Sequence, residues 1–126
     1  MPENWGLEES VMAYKYTIER IPSNWGTDLL VMKLPPEISA VASFITGITE
    51  DLSDWYLEGL ELVLSGKEDY QERDGEFLGS QIKKDYTKVY DMFGGNNEFC
   101  EIETTELKQL IEVWIAELKK FNNKET

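Results

Sequence analysis

The apolar residues near the end of the chain recur with a period that only a helix can satisfy. Leu107, Leu110, Ile111, Trp114, Leu118 and Phe121 form one stripe, preceded by Thr104 and Thr105 as candidate caps with Glu106 in the first turn. Lys119, Lys120 and Lys124 follow near the end, where the helix dipole favours positive charge. A stripe of this kind must be buried against something, so the rest of the chain has to supply the surface that covers it.

That surface reads mainly as β-structure. Residues 12–19 alternate strictly, with Met12, Tyr14, Tyr16 and Ile18 on one face and Ala13, Lys15, Thr17 and Glu19 on the other. Pro22-Ser23-Asn24-Trp25-Gly26 reads as a turn, and Leu29–Leu34 as a second, more buried strand ended by Pro35-Pro36. Ile38–Ile48, rich in Ile, Val, Phe, Ser and Thr, is expected to be a third strand, with a short helix as the competing assignment. Thr49 then opens a second helix. Leu52, Trp55, Tyr56, Leu60, Val63 and Leu64 fall at helical spacing, and Ser65-Gly66 supplies the stop. Gly59, in the middle of that helix, implies close packing against another element.

Beyond Gly66 the pattern returns to short strands. Asp74-Gly75 is a hairpin signal between 68–73 and 76–83, a strand follows over Tyr86–Phe93, and Gly94-Gly95-Asn96-Asn97 leads into Glu98–Glu103. The expected fold is one α+β domain over residues 1–126. An antiparallel sheet of about six to seven strands combines with two main helices in the order βββα-ββββ-α. A chain of this length, 41% apolar with fifteen aromatic residues, can bury a core despite its charge.

The charge narrows function. Twenty-five acids face twelve bases, and there is no histidine. Between Glu50 and Glu76 there are ten acids against only Lys67 and Arg73, so that segment holds net −8 of the total −13. Such a field repels nucleic acid and anionic membrane and attracts basic protein surfaces. The lone Cys100 fits a reducing compartment, and Met1–Gly6 carries no secretory signal, so the expected location is cytoplasmic.

Catalytic and metal chemistries find little support in these residues. Histidine-based triads and Glu-x-x-His metal pairs are impossible without histidine. In Asp69–Glu76 a calcium loop would need carboxylates at Tyr70 and Gln81, and neither is one. Glu98, Glu101 and Glu103 around Cys100 are expected to raise its pKa and disfavour thiolate. No catalytic residue, metal or cofactor is expected.

Asp51, Asp54, Glu58 and Glu61 are spaced 3, 4 and 3, making one carboxylate stripe along the second helix. Such a stripe is ordinarily the solvated face of an amphipathic helix. Here no lysine lies at i+4 to neutralise it, and the acidic run Glu68, Asp69, Glu72 and Asp74 follows directly. With Trp55 at its flank as an aromatic anchor, the stripe is a candidate docking surface for a basic protein partner. Trp114 is expected in the core, and one of Trp55 and Tyr56 in the core with the other partly exposed. Trp5 and Trp25, each in an Asn-Trp-Gly triplet, are expected to plug the core, with an exposed aromatic anchor for a partner as the competing reading.

Several segments carry a family likeness. These are Leu60-Glu61-Leu62-Val63-Leu64-Ser65-Gly66-Lys67, Gly75-Glu76-Phe77-Leu78-Gly79 and Ile82–Val89. The last is Cys100–Leu107, continued by Leu110-Ile111 and Trp114. Together they cover about 70 residues and resemble the small acidic immunity-type proteins of bacterial polymorphic and contact-dependent toxin systems. Where such relatives often have Gly-Asn opening a central strand, this chain has Gly79-Ser80. The resemblance implies a non-catalytic cytosolic inhibitor that binds a cognate toxin domain and blocks its active site, a basic nuclease among the candidates; the chain is expected to be a monomer or weak dimer. The rival reading is a housekeeping adaptor or homo-oligomerising domain whose acidity serves solubility.

Overall fold

A computed structural model of the chain describes residues 14–22, 28–75, 78–91 and 99–125. Among these the elements run β1 (Thr17–Ile21), β2 (Leu29–Lys33), a 3₁₀ turn (Pro36–Ile38) and α1 (Ser39–Thr46). They continue with α2 (Glu50–Leu64), β3 (Gln71–Asp74), β4 (Leu78–Ile82), β5 (Tyr86–Asp91), β6 (Phe99–Glu103) and α3 (Thr104–Glu125). The expected α+β class and antiparallel pairing hold. β1 and β2 form a separate hairpin, and β3-β4-β5-β6 form an antiparallel sheet in chain order.

One expected element is overturned. The competing helical assignment holds over most of Ile38–Ile48: the 3₁₀ turn Pro36–Ile38, where the missing N–H of Pro36 costs nothing, runs into α1 (Ser39–Thr46). Buried Val41, Phe44, Ile45 and Ile48 recur at helical spacing, while exposed Ser39, Ser43 and Gly47 recur every four residues. The β-branched residues that suggest a strand are instead surrounded. α1 packs on β4, β5 and β6 to one side and on β2 to another, so almost its whole girth is apolar. Burial on several sides overrides the weak strand preference of Ile and Val.

The first strand is also displaced. β1 begins at Thr17 and runs to Ile21, with Ile18 opposite Met32 of β2. Tyr14 and Tyr16 precede it, and the expected turn over Pro22–Gly26 lies, beyond Pro22 itself, outside the described residues, as do Trp5 and Trp25.

The core lies between the sheet and the three helices. Ile82, Val89 and Ile102 from the sheet meet Val41, Ile45, Tyr56, Leu60, Leu107, Leu110 and Ile111 from the helices. Trp114 is 1% exposed, and its Nε1–H donates to the Ile48 carbonyl at 2.8 Å, tying α3 to the entry of α2. Thr104, one of the two candidate caps of α3, is its first helical residue and turns its hydroxyl to the sheet instead. It donates to the Lys83 carbonyl and shares a hydrogen bond with Thr87 at 2.9 Å, both buried where α3 starts. Thr49 does sit at the N-cap position of α2, but its hydroxyl bonds Asp51 and not the helix amides. Gly66 ends α2 as expected, at φ +85°, the left-handed conformation that glycine takes without penalty.

Candidate partner-binding surface

α2 buries Ser53, Tyr56, Gly59, Leu60 and Val63, which leaves Asp51, Asp54, Glu58 and Glu61 exposed along its outer side. Trp55 and Tyr56 divide as expected: Tyr56 is 4% exposed and Trp55 42%. Leu52, which periodicity assigns to the inward stripe, is exposed too, one turn before Trp55. The outer side of α2 therefore presents two apolar side chains among carboxylates.

Arg73 fixes that arrangement. It comes from β3, is buried, and passes across Gly59, where an added Cβ would lie 2.9 Å from its Cγ and Nε. Its Nε–H donates to the Trp55 carbonyl at 3.0 Å, and Nη1 donates to Gln71 Oε1 at 2.6 Å and to the Glu72 carbonyl at 3.0 Å. Nη2 reaches Glu58 at 3.4 Å, and the guanidinium lies 5.0 Å from the centroid of the Trp55 ring. One side chain thus satisfies its charge, welds β3 to α2 and braces Trp55. The glycine at 59 and the single base in the 68–76 run were the sequence signals for it. Their meeting was not visible without the fold.

The carboxylate stripe is only partly uncompensated. α2 supplies no lysine to it, but Lys108 of α3 lies 3.8 Å from Glu61 and Arg73 pairs with Glu58. Both cations come from other elements, which helical spacing cannot register. Near the start of α2, Asn122 donates to Glu50 at 2.6 Å.

The nine expected site residues do not form one patch. Asp51, Asp54, Trp55, Glu58 and Glu61 lie on α2, and Glu68 and Asp69 are exposed in the connection after it. Glu72 and Asp74 alternate with inward-pointing Arg73, so their side chains stand on the sheet face away from the helices. There Tyr70 donates to Glu72 at 2.6 Å, and Tyr90 donates to Asp74 at 3.2 Å across Gly79. Burial and the Asp74 charge push the Tyr90 phenol up from its ordinary value.

A Bacillus cereus protein named "Immunity protein" is 40% identical over 119 residues, spanning 90% of this chain and 98% of its own. This chain belongs to the immunity-protein family. No family model matches the sequence, and no solved structure matches it.

In this member of the immunity-protein family the Cys100 thiol is raised, as expected, but for a different reason. Half-burial raises it, and the amides of Ala40 and Val41 at the start of α1 oppose the effect. Cys100 faces the helices while Glu101 and Glu103 stand on the opposite face, so these two acids of its own strand are turned away, and Glu98 lies outside the described residues. Among the described residues no three Cys, Asp or Glu side chains gather in a metal-holding group. No described helix is long and apolar enough to cross a membrane.

Proposed function

We propose that this chain is a non-catalytic immunity protein that binds and neutralises a basic toxin domain in the cytoplasm. The observation that carries this reading is the 40% identity, over nearly the whole chain, to a protein named for immunity.

The contact surface in this proposal is the outer side of α2, with Asp51, Asp54, Glu58 and Glu61, continued by Glu68 and Asp69. Trp55 and Leu52 are the apolar anchors. Trp55 is held by Arg73 before any partner arrives, so little side-chain entropy remains to be lost on binding. The surrounding carboxylates steer a basic surface in, and a nuclease's phosphate-binding cleft is one such surface. Glu72 and Asp74, on the other side of the β3 edge, contribute to the long-range field.

The test is to co-produce the chain with the compact basic domain encoded beside it and to measure binding kinetics across a salt series. Asp54→Lys and Glu58→Lys should slow association, while Trp55→Ala should mainly speed dissociation. Binding that is indifferent to salt and to both charge reversals would remove the electrostatic surface from the reading. Absence of any complex with the neighbouring product would remove the toxin itself.

A further inference from the structure

The face of the four-stranded sheet turned away from the helices carries a charge row of its own. Strand register sets Glu72 opposite Gln81, Gln81 opposite Lys88 and Lys88 opposite Glu101, so acid, amide, base and acid stand in line across β3, β4, β5 and β6. The next residue on each strand, Arg73, Ser80 and Val89, is buried toward the helices, which places the row on the far face. Tyr70 holds the Glu72 carboxylate by a 2.6 Å hydrogen bond, and Lys88 lies over the Phe99 ring at 4.4 Å. Lys83, Lys84 and Lys88, with the acids Asp85 and Glu101, border a cavity of about 340 Å³ at the β4–β5 end of the sheet. Among the described residues none of the three has a carboxylate within ion-pair distance, in a chain with 25 acids. Tyr86 and Phe99 are more than half exposed beside them.

We propose that two copies of the chain pair through this face, sheet on sheet, about a two-fold axis running along β4. That rotation lays β3 of one copy over β5 of the other. Glu72 then meets Lys88 of the second copy, the same pair forms again by symmetry, and Gln81 meets its own counterpart. A two-fold axis perpendicular to the strands would instead set Glu72 against Glu72, so the charges select one arrangement. Sheets pack face to face at about 10 Å with strands within about 30° of each other, a spacing that Glu72 and Lys88 side chains can bridge. The contact is isologous and closes at two copies.

This face carries both signs, with Lys88 between Glu72 on one side and Glu101 on the other, and a second copy brings Glu72 and Lys88 into register. The net charge of −13 per copy opposes pairing. At physiological ionic strength the Debye length is about 8 Å, so that repulsion is screened more than the contacting pairs. The outer side of α2 stays uncovered in this dimer, so the pairing is independent of the proposed toxin contact.

The test is sedimentation velocity from micromolar to millimolar protein at physiological salt, on the parent chain and four variants. The parent should show a reversible monomer–dimer equilibrium. Glu72→Lys and Lys88→Glu, both at solvent-accessible positions, should each weaken dimerisation roughly tenfold, since each reversal acts at two symmetric pairs. The combined Glu72→Lys/Lys88→Glu variant should recover it, and Lys119→Glu at an exposed position of α3 should leave it unchanged. A parent that stays monomeric throughout overturns the proposal. So does a dimer indifferent to the single reversals, or one that the double reversal fails to restore.

Discussion

The guanidinium of Arg73 sits 5.0 Å from the centre of the Trp55 ring while its Nε–H donates to the carbonyl of that same tryptophan. A buried cation from an edge strand therefore holds the most exposed aromatic side chain of α2 by both its backbone and its ring. Removing it strands three acceptors at once: the Trp55 and Glu72 carbonyls and the Gln71 amide. Arg73→Ala should cost about 3 kcal/mol in urea denaturation, from lost hydrogen bonds and the void left over Gly59. Arg73→Lys should recover only part of it, because an ammonium cannot reproduce the planar fork.

Gly59 and Arg73 should show strong coupling. In an ordinary helix interior Gly→Ala stabilises by about 1 kcal/mol. Here the new methyl meets the pinned Arg73 side chain at 2.9 Å, so Gly59→Ala should instead destabilise by about 1–2 kcal/mol. In an Arg73→Ala background the same substitution should become neutral or stabilising. A double-mutant cycle of denaturation free energies reads the change of sign directly.

Trp114 joins α3 to a residue 66 positions earlier through its bond to the Ile48 carbonyl. Trp114→Phe keeps an aromatic ring in the core but leaves that buried carbonyl without its donor and opens space around it. A loss of about 2–3 kcal/mol is expected by thermal or urea unfolding. The α2 surface should remain as it is wherever the protein is folded.

Alkaline pH should unfold the chain through its tyrosines. The Tyr14 hydroxyl donates to Glu103 at 2.6 Å, and that bond, with burial and the carboxylate's charge, pushes its pKa from 10.0 to about 12. A phenol raised in the folded state contributes stability that is complete below pH 10 and is lost as pH climbs toward 12. Tyrosinate absorbance should therefore show a late-titrating group that Tyr14→Phe removes. Stability measured across the same range should fall less steeply in that variant.

Features decided within a few residues were legible in the sequence. The stripe of α3 and the stop at Gly66 depend on local periodicity or on one residue's backbone freedom. The β3–β4 hairpin is where the sequence puts it, but not its turn: Asp74 pairs with Gly79 inside the sheet and the Gly75 N–H donates to the Leu78 carbonyl at 2.7 Å, so both expected turn residues continue the strand pairing. The partition of Trp55 and Tyr56 followed from the same logic. Ile38–Ile48 reads first as a strand and only second as a helix, because a segment covered on several sides loses the polar face by which period is recognised. Only Ser39, Ser43 and Gly47 preserve it.

The acidic surface shows the same boundary. Composition and spacing alone determined that the charge is concentrated over residues 50–76, that α2 exposes a carboxylate stripe, and that histidine chemistry is absent. Only the tertiary structure decided that Arg73 turns inward, so that Glu72 and Asp74 leave the α2 patch for the open sheet face. It also brought Lys108 to Glu61 from α3. The reason is one of range: repulsion along a helix is set by neighbours three or four residues away, but neutralisation is set by whichever element packs alongside, and that is a property of the fold.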